Sequence, residues 1–572
     1  MTDRLKAHIS KLIFNNGQTL EIKPSDIVLF VGPNNAGKTQ ALNDISIKCE
    51  SKKPTVVLSD VETTKIPGSL RPLLDTVAKT TFNGNVYYYH GYEINCTYDP
   101  ESSDTAFCQQ KYYGQLKPLF IASLTTEKRL TVCKPVESVN ISDNYTSPIH
   151  YAAFNYKHYG KWLSENFQRA FGDNLTANRL YGKTIPLCIG PVTKIKSGEV
   201  QEEIDGYAKT LETYKQVHNQ GDGVKSFVGI LLYLMLDYYC TYLIDEPESF
   251  LHPPQARIMG QIIGSTLKSD QQAFISTHSE EIVKGLLDEC PERLKIVRIT
   301  RTGDKNTFSI LDNEKIKDVL GDPLLKYSNI LSSLFHKTTV LCESDSDCRF
   351  YSIIDAHLKQ VDNKYSETLF IHCSGKDRIE KTARALKALN VDVRLITDID
   401  ILDNEATIAG IANVFGVDWN SILKKDYKAF ESNLHSPKEH IKREDARREI
   451  LRILDASQDN ADASQNVNDV NLTKEDIKKI VACVKTVSKW KNLKEYGKNA
   501  ISAGDASKAF ENIDKVLREH NIHVVPVGEL ENFVKVVGGH GPSWVNEVLK
   551  EHPDLEDDVY KAAKEFVKGI GL

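Results

Sequence analysis

Gly32-Pro33-Asn34-Asn35-Ala36-Gly37-Lys38-Thr39 stands between an apolar strand, Asp26–Val31, and a helical stretch. It fits G-x-x-x-x-G-K-[ST], and the strand-before, helix-after setting is the one that pattern requires. Glycines let successive backbone N–H groups wrap phosphates at a helix N-terminus. In that arrangement Asn34, Asn35, Ala36 and Gly37 line the phosphates. Lys38 pairs with the β- and γ-phosphates, and Thr39 ligates Mg²⁺. The eight residues predict an ATP site on a parallel α/β layer.

Three more fragments follow in the order such a site needs. Tyr242-Leu243-Ile244-Asp245-Glu246-Pro247-Glu248 is an apolar strand ending in acids: Asp245 to hold Mg²⁺ through water, Glu246 to polarise the attacking water. Phe274-Ile275-Ser276-Thr277-His278 ends another strand with a histidine suited to sensing the γ-phosphate. Gly221-Asp222-Gly223 opens a helix where ABC ATPases carry the signature loop that caps ATP bound by a second copy. Each fragment alone reads equally well as a strand-end acid, a core-edge histidine or a glycine turn. Their order on the expected elements makes coincidence a poor explanation. About 200 residues separate Lys38 from Asp245, too few for long paired coiled coils with sustained heptads. With Leu251-His252-Pro253 after the acids, this half resembles the compact ATPases of the overcoming-lysogenization-defect (OLD) group.

Around this core the periodicity predicts a hairpin, Ile9–Phe14 and Thr19–Ile22, about Asn15-Asn16-Gly17. Antiparallel sheet is expected around Asn85–Tyr98 and Leu119–Leu124, and a helical, amphipathic insertion over about 150–218. Strands and helices alternate from Val224 to Ser276 and again from about Thr338, the pattern of parallel α/β layers.

The second alternation carries its own acids. Val340-Leu341-Cys342 delivers Glu343 to a strand end, and Asp347 follows one helical turn on, facing the same way. Val393-Arg394-Leu395-Ile396-Thr397 leads into Asp398-Ile399-Asp400, whose aspartates share a face if the backbone stays extended. Hard oxygen donors at strand ends suit Mg²⁺ or Mn²⁺, and one or two such ions can neutralise both oxygens of an in-line phosphodiester displacement. Strand-end acids are also ordinary helix caps, so Glu343 alone says little. Strand-Glu, helix, strand-Asp-x-Asp together resemble the Toprim fold. ATPase then Toprim in one chain resembles the OLD-family nucleases, which include the Gabija nuclease subunit and some retron effectors.

That resemblance implies an α/β chain with an ABC-type ATPase domain over 1–335 (a mixed sheet with the helical, possibly dimerising insertion) and a Toprim nuclease domain over 336–572, with a helical insertion over about 402–497. It implies Glu343, Asp347, Asp398, Asp400 and a late acid as metal ligands. Glu531 fits the late acid best, with Glu529 in reserve. A late lysine is implied too: Lys561, with Lys564 one turn away. The activity implied is that of an ATP-hydrolysing, Mg²⁺- or Mn²⁺-dependent DNA endonuclease or nickase in anti-phage defence. The implied partners are DNA, further copies of the chain as a dimer or tetramer, and a helicase-like protein or a retron RNA–DNA hybrid. A second reading is an ATP-gated DNA-binding scaffold or repair ATPase whose Toprim half recruits a partner without cutting.

Composition limits the alternatives. Hydrophobic residues make up 41% and charged residues 26% of 572, with a net charge of −6, a balance that excludes a general polyanion binder but not a local basic groove. Lys424, Lys425, Lys442, Arg443, Arg447, Arg448, Lys478, Lys479, Lys489, Lys491, Lys494 and Lys498 make the second insertion the densest basic region. Acids interleave with many of them, as on a solvated helix face. Within it, the polar run Asp455–Asn471 reads as a mobile loop. The eleven cysteines include no CxxC, which predicts no zinc module and a reducing compartment. The longest apolar run, near Val228–Leu236, is too short to span a membrane, and the N-terminus lacks a signal-peptide core. The expectation is a cytoplasmic protein with no membrane contact.

Overall fold

The computed structural model describes residues 4–91, 93–140, 145, 147–190, 200–311, 329–432, 434, 443–458, 473–484 and 490–572. They form two compact units, one of Met1–Lys337 with Ala388–Asn390 and one of Thr338–Lys387 with Val391–Leu572.

The first unit is built on six strands in the order Lys305–Leu311, Leu294–Thr302, Ile27–Val31, Gln272–Ser276, Thr241–Asp245, Ile121–Leu124. All neighbours are parallel except the Leu294–Thr302/Lys305–Leu311 hairpin. Every residue of Ile27–Val31 is buried, as expected of a central strand covered on both faces. Leu119–Leu124, expected in antiparallel sheet, instead contributes the parallel edge strand Ile121–Leu124. An isolated apolar run does not declare its pairing partner, and here the partner lies over a hundred residues away. The antiparallel expectation for Asn85–Tyr98 holds, in the meander Ala78–Asn83, Val86–Gly91, Asn95–Tyr98.

A separate antiparallel sheet joins Thr19–Glu21, Lys6–Phe14 and Leu58–Ile66. Its hairpin turns where Gly17 takes a positive φ of 84°. The 150–218 insertion is mixed rather than purely helical. Helices Pro148–Phe154, Lys161–Phe171 and Val200–Glu212 accompany a small sheet of Leu175–Ala177, Leu187–Ile189 and Lys215–Gln216. Strands of two or three residues are too short to show a period-two pattern.

The second unit has a four-stranded, wholly parallel sheet in the order Thr368–His372, Thr338–Cys342, Asp392–Thr397, Ile522–Val524. From Thr338–Cys342 the chain passes to one neighbour through helix Asp345–Val361, then returns to the other through helix Ile379–Ala388. The order therefore reverses between Thr338–Cys342 and Asp392–Thr397, and the carboxyl ends of strands at such a reversal open onto a crevice. The second insertion is helical where described, from Glu405–Val414 to Trp490–Tyr496. Of the run expected as a loop, Asp455 to Gln458 complete the helix Arg443–Gln458, and the rest lies outside the described residues, as do Lys442 and Lys489.

No helix of the described residues is long and apolar enough to cross a membrane. Cys49, Cys96, Cys108, Cys133, Cys188, Cys240, Cys290, Cys342, Cys348 and Cys373 are free thiols, and most are buried, as small hydrophobes.

Candidate active sites

In the first unit the phosphate loop is shaped by its neighbours. Gly32 passes so close to strand Leu294–Thr302 that a Cβ would stand 2.0 Å from the Ile299 carbonyl oxygen. Asn35 and Gly37 take positive φ values of 59° and 102°. Ala36 O accepts from Asn306 Nδ2 at 2.8 Å. Lys38 opens the helix Lys38–Glu50, and its amine folds back on the Gly32 and Pro33 carbonyls at 2.9 and 2.7 Å. Burial pushes the amine down to about 8, against the pull of Glu246, Glu248 and Asp245. It is thus poised, desolvated, where a polyphosphate would stabilise its charge.

Strand Thr241–Asp245 brings the acids to this loop. Asp245 Oδ1 accepts from Thr39 Oγ1 at 2.8 Å and from Ser276 Oγ at 2.5 Å. Glu246 follows in a left-handed conformation, φ 46°, held by its N–H on Ser276 O at 2.9 Å. Its carboxylate lies 3.3 Å from His278 Nε2. Burial, then Lys38, lowers the His278 pKa, favouring a neutral ring. Thr39, Asp245, Glu246 and His278 therefore converge beside Lys38.

Gly221-Asp222-Gly223 opens the helix Asp222–Leu234, with Asp222 paired to Lys225 at 2.7 Å. Among the described residues no hydrogen bond or ion pair joins it to the phosphate loop. A Cβ on Gly223 would stand 2.5 Å from Phe250 O.

Two residues here escaped the sequence reading. Arg129 is fully buried and its guanidinium donates to the carbonyls of Asp245 and Glu246 at 2.6 and 3.2 Å. Glu248 Oε1 accepts from the His278 N–H at 2.6 Å, while its Oε2 is buried without a partner. Only the acidic run Asp-Glu-Pro-Glu hinted at Glu248, and nothing local pointed to Arg129.

In the second unit Glu343, Asp398 and Asp400 bring carboxylate oxygens within 4.8 Å of one another, at the carboxyl ends of the two strands flanking the reversal. Glu343 Oε1 accepts from Thr397 Oγ1 at 2.6 Å and from Asp398 N at 3.2 Å. The Asp-x-Asp pair meets there for a different reason than strand alternation. The strand ends at Thr397, and Ile399–Asp403 winds into a 3₁₀ turn, which swings Asp400 back to Glu343.

Asp347 is an N3 residue that closes a capping box with Ser344, accepting from its N–H at 2.8 Å and its hydroxyl at 3.0 Å. It still contributes negative charge to Glu343 and Asp398. Glu529, Glu531 and His540 form a second group. Glu531 Oε1 accepts from Gly541 N at 2.9 Å.

Burial, then the neighbouring acids, holds Asp398 far above the usual carboxylate range. Burial raises Glu343 as well, with Asp400 and Asp347 adding to it. Asp400 Oδ1 is buried without a hydrogen-bond partner. Crowded hard acids, an orphaned carboxylate oxygen and no soft ligand in the group fit a divalent ion such as Mg²⁺ or Mn²⁺.

Lys561 makes no ion pair with these acids among the described residues. It heads the helix Lys561–Ile570 and is exposed. Lys564 pairs with Glu556 at 2.9 Å, and Glu556 with His357. His357 lies ten residues along its helix from Asp347, about 15 Å at the α-helical rise. Spacing in sequence could not reveal which end of that helix Lys564 approaches. The amines at the acids are Lys376, 3.9 Å from Asp400 Oδ2, and Lys494, 3.5 Å from Asp400 Oδ2 and 3.5 Å from Glu529 Oε2. Tyr351, its hydroxyl buried and unpartnered, adjoins Asp347 and Asp398.

Residues 198–284 match the family described as "AAA domain, putative AbiEii toxin, Type IV TA system". Residues 334–400 match "Overcoming lysogenization defect protein-like, TOPRIM domain". Among curated proteins, the Old nuclease of Escherichia phage P2 is 22% identical over 167 residues, 28% of this chain and 28% of that protein. The OLD nuclease of Thermus scotoductus is 28% identical over 170 residues, 28% of this chain and 31% of that protein. The alignments span less than a third of either relative. Among solved structures, an Smc head bound to the C-winged helix domain of ScpA matches at 11% identity and a TM-score of 0.33, over 55% of this chain and 99% of that one, a likeness too slight to bear on function. The two matched segments fall on the two acidic centres: residues 198–284 hold Asp245, Glu246 and His278, and residues 334–400 hold Glu343, Asp398 and Asp400, so one segment is similar to an ATPase domain and the other to an OLD-like Toprim domain.

Proposed function

We propose that the chain is an ATP-hydrolysing, divalent-metal-dependent DNA endonuclease or nickase that acts in defence against phage. The observation that carries the nuclease reading is the meeting of Glu343, Asp398 and Asp400 at a strand reversal, with Asp400 Oδ1 buried and unpaired. The printed names of the phage P2 and Thermus scotoductus relatives support it.

Glu343, Asp398 and Asp400 would hold Mg²⁺ or Mn²⁺, with Glu531 and Asp347 as further donors, and the ion would supply neutralising charge to the phosphodiester oxygens. The protein's own part is to keep these acids fixed. Thr397 and the Asp398 N–H hold Glu343, Gly541 holds Glu531, and the 3₁₀ turn holds Asp400. At the other site Lys38 binds phosphate, Thr39 and Asp245 bind the nucleotide's Mg²⁺, and Glu246 takes the proton of the attacking water. His278, neutral and beside Glu246, senses the γ-phosphate. Gly221-Asp222-Gly223 serves ATP on another copy, so the working form is at least a dimer.

The test is conversion of supercoiled plasmid with Mg²⁺ or Mn²⁺, with and without ATP. Wild type should nick or linearise DNA, and Glu343→Ala and Asp398→Ala should not. Full cutting by both variants would refute the site. ATP binding with no cutting by wild type under any ion would instead favour the ATP-gated scaffold.

A further inference from the structure

The two acidic groups of the second unit are joined by one ammonium. Lys494 Nζ lies 3.5 Å from Asp400 Oδ2 in the first group and 3.5 Å from Glu529 Oε2 in the second. It comes from the helix Trp490–Tyr496, at the end of the basic insertion.

That helix is fastened where it meets the sheet. Asn532 Nδ2 donates to Lys494 O at 2.8 Å and to Val527 O at 3.0 Å, and Lys498 N–H donates to Pro526 O at 2.9 Å. Gly528 lies so close beneath that a Cβ would stand 2.2 Å from Lys494 O. Gly497, φ 60°, has the same relation to Pro526 O, at 2.2 Å. The backbone carrying Lys494 is therefore fixed on the loop that carries Glu529 and Glu531. Lys376 Nζ reaches the same Asp400 oxygen at 3.9 Å, anchored on Asp403 at 3.1 Å. Both ammonium groups thus stand on Oδ2, and Oδ1 is the oxygen left without a partner.

We propose that Lys494 is a positioning residue and built-in counter-ion of the carboxylate centre: with Lys376 it holds Asp400 so that Oδ1 alone faces a divalent ion, and its charge limits how tightly that ion binds. This rests on the reading of the acids as a metal site, and it assigns the basic insertion a part in the centre itself. A neutral side chain at position 494 removes a positive charge next to the ion and leaves the acids in place. Ion affinity then rises while the acids are held less firmly.

The experiment is Mn²⁺ binding to the full chain without DNA, followed by calorimetry and by the paramagnetic signal of free ion. Mildly alkaline pH keeps protons from competing. Lys494→Met should bind Mn²⁺ on the order of tenfold more tightly than wild type, while Lys494→Arg stays near wild type. Unchanged or weaker binding by Lys494→Met, in a protein whose thermal unfolding matches wild type, overturns the proposal. If Lys494→Met fails to fold, Lys494→Gln gives the same comparison. Because cleavage is not measured, an enzyme that never cuts DNA would refute the nuclease reading and leave this result standing. Absence of Mn²⁺ binding in wild type would sink both.

Discussion

Thr39 Oγ1 donates to Asp245 Oδ1 across 2.8 Å, joining residues 206 positions apart in sequence. The chain's own hydrogen bonds thus hold the phosphate loop and the strand-end acid in register, with Ser276 on the same oxygen. An Mg²⁺ ion arriving with ATP would replace this hydrogen bond rather than assemble the site. Thr39→Val should therefore fold with little change in melting temperature and lose ATP hydrolysis by a hundredfold or so, in line with the loss of a positioned group in phosphoryl transfer. A steady-state phosphate-release assay beside a thermal melt checks both halves.

Lys38 gives a pH signature. Its amine sits near 8 because burial outweighs the surrounding acids. As pH rises through that value, the free protein loses the proton, and ATP binding must restore it. ATP affinity should therefore weaken above pH 8 by up to about tenfold per pH unit, although ATP itself no longer titrates there. Equilibrium binding of labelled ATP at a series of pH values would show this, and a flat profile would contradict the buried position of Lys38.

What the sequence made legible were features in which a local pattern sets both structure and chemistry. The glycines and lysine of residues 32–39 act within one turn, and Glu343 and Asp398 follow apolar runs of the kind that buried parallel strands carry. Arg129 and Lys494 were not legible as site residues, because each works through carbonyls or carboxylates more than a hundred or tens of positions away and carries no local mark. Lys564 shows the converse. A residue at the expected distance along the chain says nothing of which end of a helix it faces. Asp400 reaches the cluster through a 3₁₀ turn rather than through the extended backbone that the Asp-x-Asp spacing implies.

Arg129 should prove to be a structural support of the nucleotide site. It is fully buried and its hydrogen bonds go to the Asp245 and Glu246 carbonyls, so its loss leaves two acceptors unmet just where Glu246 takes a left-handed φ. Arg129→Met should destabilise the chain by about 2–4 kcal/mol and abolish hydrolysis while the phosphate loop still binds nucleotide weakly. Denaturant melts and nucleotide binding together distinguish this from a purely surface effect.

Glu248 should behave differently. Its Oε1 accepts the His278 N–H, but Oε2 is buried and unpaired, and burial raises its pKa. Glu248→Gln keeps an acceptor for His278 and removes the buried charge, so at neutral pH it should melt at or above wild type. Glu248→Ala removes the acceptor and should melt lower. The order Gln, wild type, Ala in thermal stability is the expected outcome, and Gln melting well below wild type would show that the charge itself is needed.

The strongest pH dependence should come from the carboxylate centre in the absence of a divalent ion. Asp398 is held far above its ordinary value of about 4, by burial first and then by Glu343, Asp347 and Asp400. Its folded pKa exceeds its unfolded one, so between the two values the folded chain retains a proton that the unfolded chain has released. Stability without ion is therefore full below the ordinary aspartate range and falls as pH rises through the raised value. Asp398→Asn mimics the protonated form and should flatten that fall, leaving the ion-free protein more stable than wild type at neutral pH by about 1–2 kcal/mol. Mn²⁺ should raise the melting temperature of wild type, because an ion that binds only the folded state shifts unfolding by mass action. It should do little for Asp398→Asn, which lacks one of the ligating charges. Melting curves with and without Mn²⁺, from acid to neutral pH, test the set. An Asp398→Asn protein that melts lower than wild type without ion would mean that the acid is stabilised by a partner other than the metal and would overturn the reading of this centre as a site for a cation.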